Sequence, residues 1–259
     1  MLNIWIQLQW QSLVCTNLIL PIDNLIINFD LMTKTLEQLL KQVSPDASNE
    51  ELNQTFLKLA QTLMCNYEIV KGKNKSYDIM SIEFYYCSKN HFDLTVYPRE
   101  GDYGKWFFHS SGMDLTFKYD ITTSGKKIDY NKDFGYGGIL IRKIKPKKEG
   151  TTHDIQSDEG SIDGPLKVEW ELFDKFNALN AEENKELVPI LIKRDNPLDK
   201  KVVCVKRKNI TLTRFENQLS KILHERFLSI ENEEELIKQA RANIDDEKNE
   251  KTWLGYQIK

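Results

Sequence analysis

The segment Met80–Cys87 constrains the fold most strongly, because apolar and aromatic residues occupy most of its positions. A run of this length and composition predicts a buried or half-buried strand. Strand geometry then places Glu83 and Tyr85 together on one face and Phe84 on the other. A carboxylate in such a run is usually paired, directed into a wet cleft or used in chemistry. Glu83 is therefore the first candidate functional residue, and a strand glutamate that faces solvent or a lysine is the alternative.

The pattern around this segment predicts a sheet preceded by helices. Apolar residues at helical spacing over Thr35–Val43 indicate one helix, and the capping box Ser48–Glu51 indicates the start of a second. Strand-like runs separated by polar or glycine-containing turns then cover the middle of the chain. They are Tyr67–Val70, Met80–Cys87, Lys105–His109, Met113–Lys118 and Gly138–Ile144. Residues 119–135 are expected to form a hairpin loop, and the polar segment Lys147–Gly164 is expected to be exposed to solvent.

The C-terminal third is predicted to be mainly helical. Helices are expected over Lys167–Asn177, over Arg214–Phe227 and from Asn232 onward, with two short apolar runs between the first two. This order predicts an α+β fold with a central antiparallel β-sheet, surrounding helices and a helical C-terminal extension. The expected organisation is an uncertain N-terminal extension (1–31), N-terminal helices (32–66) and one α+β domain with C-terminal helices (67–259).

Residues 1–33 differ from the rest of the chain because they contain no Lys or Arg. Polar residues interrupt their apolar stretches, so the pattern of a secretory signal or a membrane span is missing. We interpret Met32 as the natural start and the preceding stretch as a mis-extended reading frame. A short hydrophobic anchor is the alternative. A natural peptide from residues 2–30, found by mass spectrometry, would contradict the first interpretation.

Composition and charge narrow the function classes. The 259 residues are 40 % hydrophobic and 29 % charged, which is typical of a soluble globular protein. A net charge of −3 gives no overall positive field for nucleic acid or an anionic membrane. The four cysteines form no C-x-x-C pair, which fits a reducing, cytoplasmic compartment. The scattered cysteines and histidines predict no metal site and no cofactor. We expect a monomer without membrane contact.

Four motifs follow one another in a distinctive order. They are Glu83–Tyr85, the aromatic run Trp106–Met113, the strand Gly137–Pro146 and the dipeptide Gly164-Pro165. In order and approximate spacing this set resembles the alkyladenine (3-methyladenine, or methylpurine) DNA glycosylases over about residues 67 to 178. The resemblance implies the sheet of that family and an enzyme that hydrolyses the N-glycosidic bond of a damaged purine in double-stranded DNA. The base would be flipped out of the duplex into an aromatic pocket.

The same resemblance implies roles for individual residues. Glu83 would activate the attacking water as general base, and Arg142 would hold that carboxylate ionised. Tyr85 and Phe108 would stack on the flipped base, with His91 as the nearest match to a pocket histidine. Ser111, Gly112 and Met113 would approach DNA, together with Lys143 and Lys145. No metal or cofactor is required.

Two departures leave other functions open. Ser111 stands where the family has an aromatic side chain that fills the gap left by the base, so Tyr119 or Tyr130 would have to supply this wedge. The alternative function is a non-catalytic nucleobase, nucleic-acid or protein-binding module with the same fold. A nuclease site from Asp78, Glu83 and Asp114 with Lys118 is a further alternative, although its Glu-x-Lys strand is missing.

Overall fold

The structure, a computed structural model, describes residues 35–99, 102–118, 121, 123–124, 127–147, 158–173, 175–244 and 254–259. Its helices are α1 (Leu36–Gln42), α2 (Asn49–Asn66), α3 (Pro165–Leu172), α4 (Ala181–Leu187), α5 (Leu212–Phe215), α6 (Leu219–Arg226) and α7 (Glu233–Ile244). The strands are β1 (Tyr67–Lys71), β2 (Lys75–Ser88), β3 (Trp106–His109), β4 (Gly112–Thr116), β5 (Thr123–Ser124), β6 (Lys127–Asp129), β7 (Gly135–Pro146), β8 (Ile162–Asp163), β9 (Ile190–Lys193), β10 (Val202–Val205), β11 (Phe227–Leu228) and β12 (Gly255–Ile258).

Nine strands form one curled antiparallel sheet, with the order β10-β12-β2-β7-β4-β3. Strand β1 adds to this sheet by pairing with β2 and with β9, and β8 pairs with β7. A small second sheet has the order β11-β6-β5. The long strands β2 and β7 pair along most of their length, from Tyr77 opposite Pro146 to Ser88 opposite Gly135. The predicted α+β class with a central antiparallel sheet is therefore confirmed at this level.

One face of the sheet is covered by α2. The helix begins at a capping box, in which the Ser48 hydroxyl accepts from the Glu51 N–H and the Glu51 carboxylate accepts from the Ser48 N–H. The ring of Phe56 then stacks on Phe84 of β2, with centroids 4.5 Å apart, and on Phe117. This aromatic stack is the centre of the first hydrophobic core, which we call the α2 core.

A second core lies against the opposite face of β2. It combines Cys87 with Phe92 and Phe134 from the loops, and it includes Leu223 of α6 and Ala240 of α7. The C-terminal helices therefore pack on the sheet face that carries Glu83 and Tyr85. We call this group the C-terminal core.

The C-terminal part differs from the predicted helical extension. The last described segment is β12, which lies between β10 and β2 and pairs with both. The helix expected over Arg214–Phe227 is divided, because a 3-10 turn over Glu216–Gln218 separates α5 from α6. The helix expected over Lys167–Asn177 ends earlier, at Leu172. Residues 1–34, including the proposed start at Met32, lie outside the described residues.

Among the described helices, none combines the length and the apolar composition needed to cross a membrane.

Candidate functional site

The register of the sheet brings two acidic residues to one face. Glu83 of β2 lies opposite Leu140 of β7, and Leu140 lies opposite Asp114 of β4. Directly opposed residues point to the same side of a sheet, so both carboxylates share the face covered by the C-terminal core. We call this surface the Glu83 face.

Glu83 is almost fully buried, with 2 % of its surface exposed. Its Oε2 accepts a hydrogen bond of 2.9 Å from the Tyr85 hydroxyl. Its Oε1 accepts one of 2.7 Å from the backbone N–H of Lys208, which follows β10. Both oxygens are therefore engaged, and the carboxylate links β2 to the chain after β10.

Arg142 approaches this carboxylate from β7. Its Nε lies 3.5 Å from Glu83 Oε1, close enough for charge attraction, yet it has no hydrogen-bond partner among the described residues. A buried guanidinium N–H normally donates to a partner, because an unsatisfied donor costs about 1–3 kcal/mol. The structure thus brings the predicted pair Glu83 and Arg142 together as charged neighbours on one face of the sheet.

Tyr85 is held on two sides. Its hydroxyl donates to Glu83, and the Arg207 guanidinium lies over its ring, 4.8 Å from the centroid. Burial, and then the negative charge of Glu83, raise the pKa of Tyr85 well above its usual value. The phenol therefore keeps its proton and acts as a donor. Arg207 is itself buried and pairs with Asp93 at 2.8 Å.

Asp114 has two basic neighbours. One of its oxygens accepts from the buried Arg99 guanidinium, and the other lies 3.3 Å from His109 Nε2. His109 Nδ1 accepts from the backbone N–H of Ser111 at 3.2 Å, and a backbone N–H can only donate. Nε2 of a neutral ring then carries the proton and donates to Asp114. Arg99 reaches this position because Gly138 has no side chain, since a Cβ there would lie 2.6 Å from Arg99 Nη1.

A cavity of about 250 Å³ opens on the Glu83 face. Its floor is the sheet, and a wall opposite is formed by the segment that contains α5 and the 3-10 turn. Both polar and aromatic groups line it, including Tyr85, Tyr97, His109, Asp114, Arg214 and Phe215. Glu83 does not reach the cavity surface; its partner Tyr85 does. The arrangement offers aromatic rings beside a fixed carboxylate and a neutral histidine.

Other predicted site residues lie elsewhere. Phe108 pairs with Met113 and points to the α2-core face of the sheet, where it contacts Phe173 with centroids 4.7 Å apart. Because this is the side opposite Tyr85, Phe108 and Tyr85 do not form two walls of one pocket. His91 is buried against α2, where its Nδ1 lies 2.7 Å from Asn49 Oδ1.

The predicted DNA-contact residues divide into two groups. Ser111 is exposed and lines the cavity. Gly112 and Met113 are buried, and a Cβ on Gly112 would lie 2.6 Å from the Pro165 side chain. Lys143 pairs with Asp158 at 2.5 Å, and Lys145 is only 7 % exposed. The structure therefore brings only Ser111 of this set to the cavity.

The structure also shows where two other groups of predicted residues lie, the suggested wedges and the alternative nuclease site. Tyr130 packs in the C-terminal core against Phe92, with ring centroids 5.8 Å apart, so it does not project from the surface. Tyr119 lies outside the described residues. Asp78 pairs with Arg194, away from the Glu83 face. Within the described ranges, no three His, Cys, Asp or Glu side chains are close enough to hold a metal ion.

Sequence reasoning missed several residues of this face. No sequence pattern predicts Asp93, Arg99, Arg207 or Arg214 as residues of this site. Asp93 and Arg99 lie in the irregular segment between β2 and β3, where no period marks a buried side chain. Their role depends on partners more than ten positions away, such as Arg207 for Asp93.

Comparisons of the chain with protein-family models, with curated proteins and with solved structures found no match. The resemblance to methylpurine DNA glycosylases therefore rests on the motifs alone, and any function has to be argued from the geometry of the Glu83 face.

Proposed function

We propose that the cavity on the Glu83 face binds a flat, polar ring of the size of a purine base. The observation that carries this proposal is the lining of the cavity, which sets Tyr85, Tyr97 and Phe215 around the carboxylate of Asp114. Small-molecule sites are typically apolar and aromatic, with a few well-placed polar groups. Aromatic side chains stack on any base.

The polar side of the cavity suits the edge of a base. A carboxylate offers about four lone-pair sites, and Asp114 uses one for Arg99 and one for His109. The part of the carboxylate that borders the cavity suits a ring N–H or amino group of a bound base. Because Arg99 and His109 hold the carboxylate in place, a ligand would not have to order it, which lowers the cost of binding.

Hydrolysis of an N-glycosidic bond is the second candidate, and the contact between Glu83 and Arg142 favours it. A carboxylate held next to a guanidinium is suited to activate water. Catalysis would require the Tyr85 hydroxyl to release Glu83 Oε2, because Tyr85 lies between this carboxylate and the cavity. Binding is supported by the geometry as it stands, whereas catalysis needs this rearrangement.

The binding proposal is tested by calorimetric titration of the full chain with hypoxanthine and with purine nucleosides. We expect Tyr97→Ala to weaken binding about tenfold, since stacking contributes roughly 1–3 kcal/mol per base. Phe176→Ala is the matched control, because Phe176 is 44 % exposed and Tyr97 is 42 % exposed, but only Tyr97 lines the cavity. Equal effects of the two changes, or no binding by the unchanged protein, would contradict the proposal.

The catalytic candidate is tested by an incision assay on duplexes that contain hypoxanthine or an alkylated purine. If it holds, the unchanged protein releases the base and Glu83→Gln lowers the rate by about a hundredfold or more. If the Glu83→Gln variant excises the base at the same rate as the unchanged protein, Glu83 is not the general base. Base binding without excision would support the binding function and exclude glycosylase activity.

A further inference from the structure

Among the charged residues that line the cavity, positive charge exceeds negative charge. Asp114 and Arg99 form a buried ion pair, with side chains 1 % and 3 % exposed. Arg214 is the other arginine of the lining, and it forms no ion pair with a carboxylate of the described residues. The guanidinium of Arg214 is therefore a positive charge of the lining that no described carboxylate pairs, in a chain whose net charge is −3. This local excess favours an anion in the cavity.

Arg214 is also held in position. Its Nη1 donates to the backbone oxygen of Asn209 at 3.0 Å, and its guanidinium lies 5.5 Å from the ring centroid of Phe215. Asn209 itself has a φ of 63°, a left-handed conformation that fixes the turn before α5. A guanidinium has five N–H donors, so most of them remain for a ligand.

A second side chain with hydrogen-bond donors, that of Gln218, lines the same cavity as Arg214. Gln218 lies at the end of the 3-10 turn. Across the cavity stands Ser111, whose hydroxyl can donate as well. Three side chains with rotatable donors thus line the cavity, whereas the sheet that forms its floor carries Tyr85 and Asp114.

We infer that the base enters this cavity as part of a nucleotide and that Arg214, with Gln218, binds its phosphate. This inference rests on the proposed base-binding function and adds the class of ligand. Guanidinium groups bind phosphate through paired, charge-assisted hydrogen bonds, which a lysine cannot reproduce. The phosphate belongs either to a free mononucleotide or to a nucleotide within a strand, because both present the same oxygens.

The test compares inosine with inosine 5′-monophosphate in calorimetric titrations of the full chain at low salt. We expect the nucleotide to bind at least about tenfold more tightly than the nucleoside. Arg214→Gln should remove this difference, so that inosine and its phosphate bind with similar affinity, and Arg214→Lys should restore only part of it. Lys221→Gln is the matched control, since it removes one positive charge from an exposed side chain of α6 that does not line the cavity.

Each outcome decides a specific point. Equal affinity for inosine and its phosphate, or a nucleotide affinity that Arg214→Gln leaves intact, overturns the phosphate site while base binding stands. Binding of neither ligand overturns the base-binding function and this inference together. A parallel titration with a short single-stranded oligonucleotide identifies the source of the phosphate, and Arg214→Gln should weaken both ligands. An oligonucleotide that binds more tightly than inosine 5′-monophosphate assigns the phosphate to a strand, and one that binds more weakly assigns it to a free nucleotide.

Discussion

Three carboxylates on or beside the Glu83 face each meet a buried arginine. Asp93 pairs with Arg207, Asp114 with Arg99, and Glu83 with Arg142. Replacing a buried ion pair by apolar residues often costs nothing, whereas removing one partner leaves an uncompensated charge. These pairs are therefore best understood as devices that hold particular groups in position.

The Arg99–Asp114 pair gives the first residue-scale prediction. Asp114→Asn should lower the free energy of unfolding by roughly 3–5 kcal/mol, because Arg99 stays buried without its carboxylate. The measurement is urea unfolding of the full chain. Glu182→Gln is the control, since it breaks the exposed pair with Lys185, which should change the stability by less than about 1 kcal/mol. Equal effects would show that the buried pair is unimportant.

His91 gives a prediction about pH. Burial lowers the pKa of His91 to about 4 from its usual 6.5, although the nearby charge of Asp93 acts in the opposite direction. Between these values the unfolded chain binds a proton that the folded chain does not, so the folded state loses stability as the pH falls through this interval. The loss should be on the order of 3 kcal/mol.

Unfolding curves at several pH values measure this effect. His91→Gln, which does not titrate, should lose less stability than the unchanged protein between neutral pH and about pH 4. His224→Gln is the control for loss of a histidine, because its side chain is 57 % exposed and not buried. Parallel curves for the unchanged protein and His91→Gln would contradict burial of a neutral ring.

At the scale of elements, β2 is the strand that connects both cores. Its Phe84 faces the α2 core and its Glu83 and Tyr85 lie on the Glu83 face, because successive side chains of a strand alternate. A change on one face of β2 is therefore expected to reach the other through the position of the strand.

Helix α2 offers a matched pair of neighbours to test how firmly this strand is held. Phe56 is fully buried in the aromatic stack, whereas Leu57 is 40 % exposed. Phe56→Ala should lower the free energy of unfolding by about 3–5 kcal/mol, through lost contacts and a cavity. Leu57→Ala should cost less than about 1 kcal/mol, since alanine suits an exposed helix position. Denaturant unfolding measures both, and similar losses would argue against this packing.

At the scale of the whole molecule, the two ends of the described chain meet in one structure. The last strand, β12, lies between β10 and β2, so the final residues complete the sheet that the first helices cover. Tyr256 of β12 contacts Phe84 edge-on, with centroids 5.3 Å apart. The nine-stranded sheet therefore depends on β12 to join β10 to β2.

Deletion of residues 254–259 tests this conclusion. The deletion removes the buried Leu254 and Tyr256 and leaves β2 and β10 without their shared partner. We expect the loss to be comparable with the whole stability of a domain, about 5–15 kcal/mol, and the cooperative unfolding transition to disappear. Gln257→Ala, which keeps the strand, should retain the transition. A truncated chain that unfolds cooperatively would contradict the central role of β12.

Elements with a strong local pattern were predictable. The capping box at Ser48, the alternation over Met80–Cys87 and the run Gly138–Ile144 all lie in elements that the structure contains. The contact of Glu83 with Tyr85 was also foreseeable, because residues two apart on a strand share a face. Strand β12 was not, since its pairing with β2 joins residues far apart in the chain.

The candidate site shows the same division. Local periodicity depends only on neighbours along the chain, and it was enough to place Glu83 beside Tyr85 and to select an antiparallel sheet. Distant pairings placed Phe108 on the opposite face, Arg207 over Tyr85 and Arg214 at the cavity. Such positions follow from sheet register and helix packing, in which the free energy is shared among residues far apart in sequence. A local sequence pattern carries no information about such long-range contacts. The aromatic strand could therefore be predicted from the sequence, whereas the residues that line the cavity were known only from the tertiary structure.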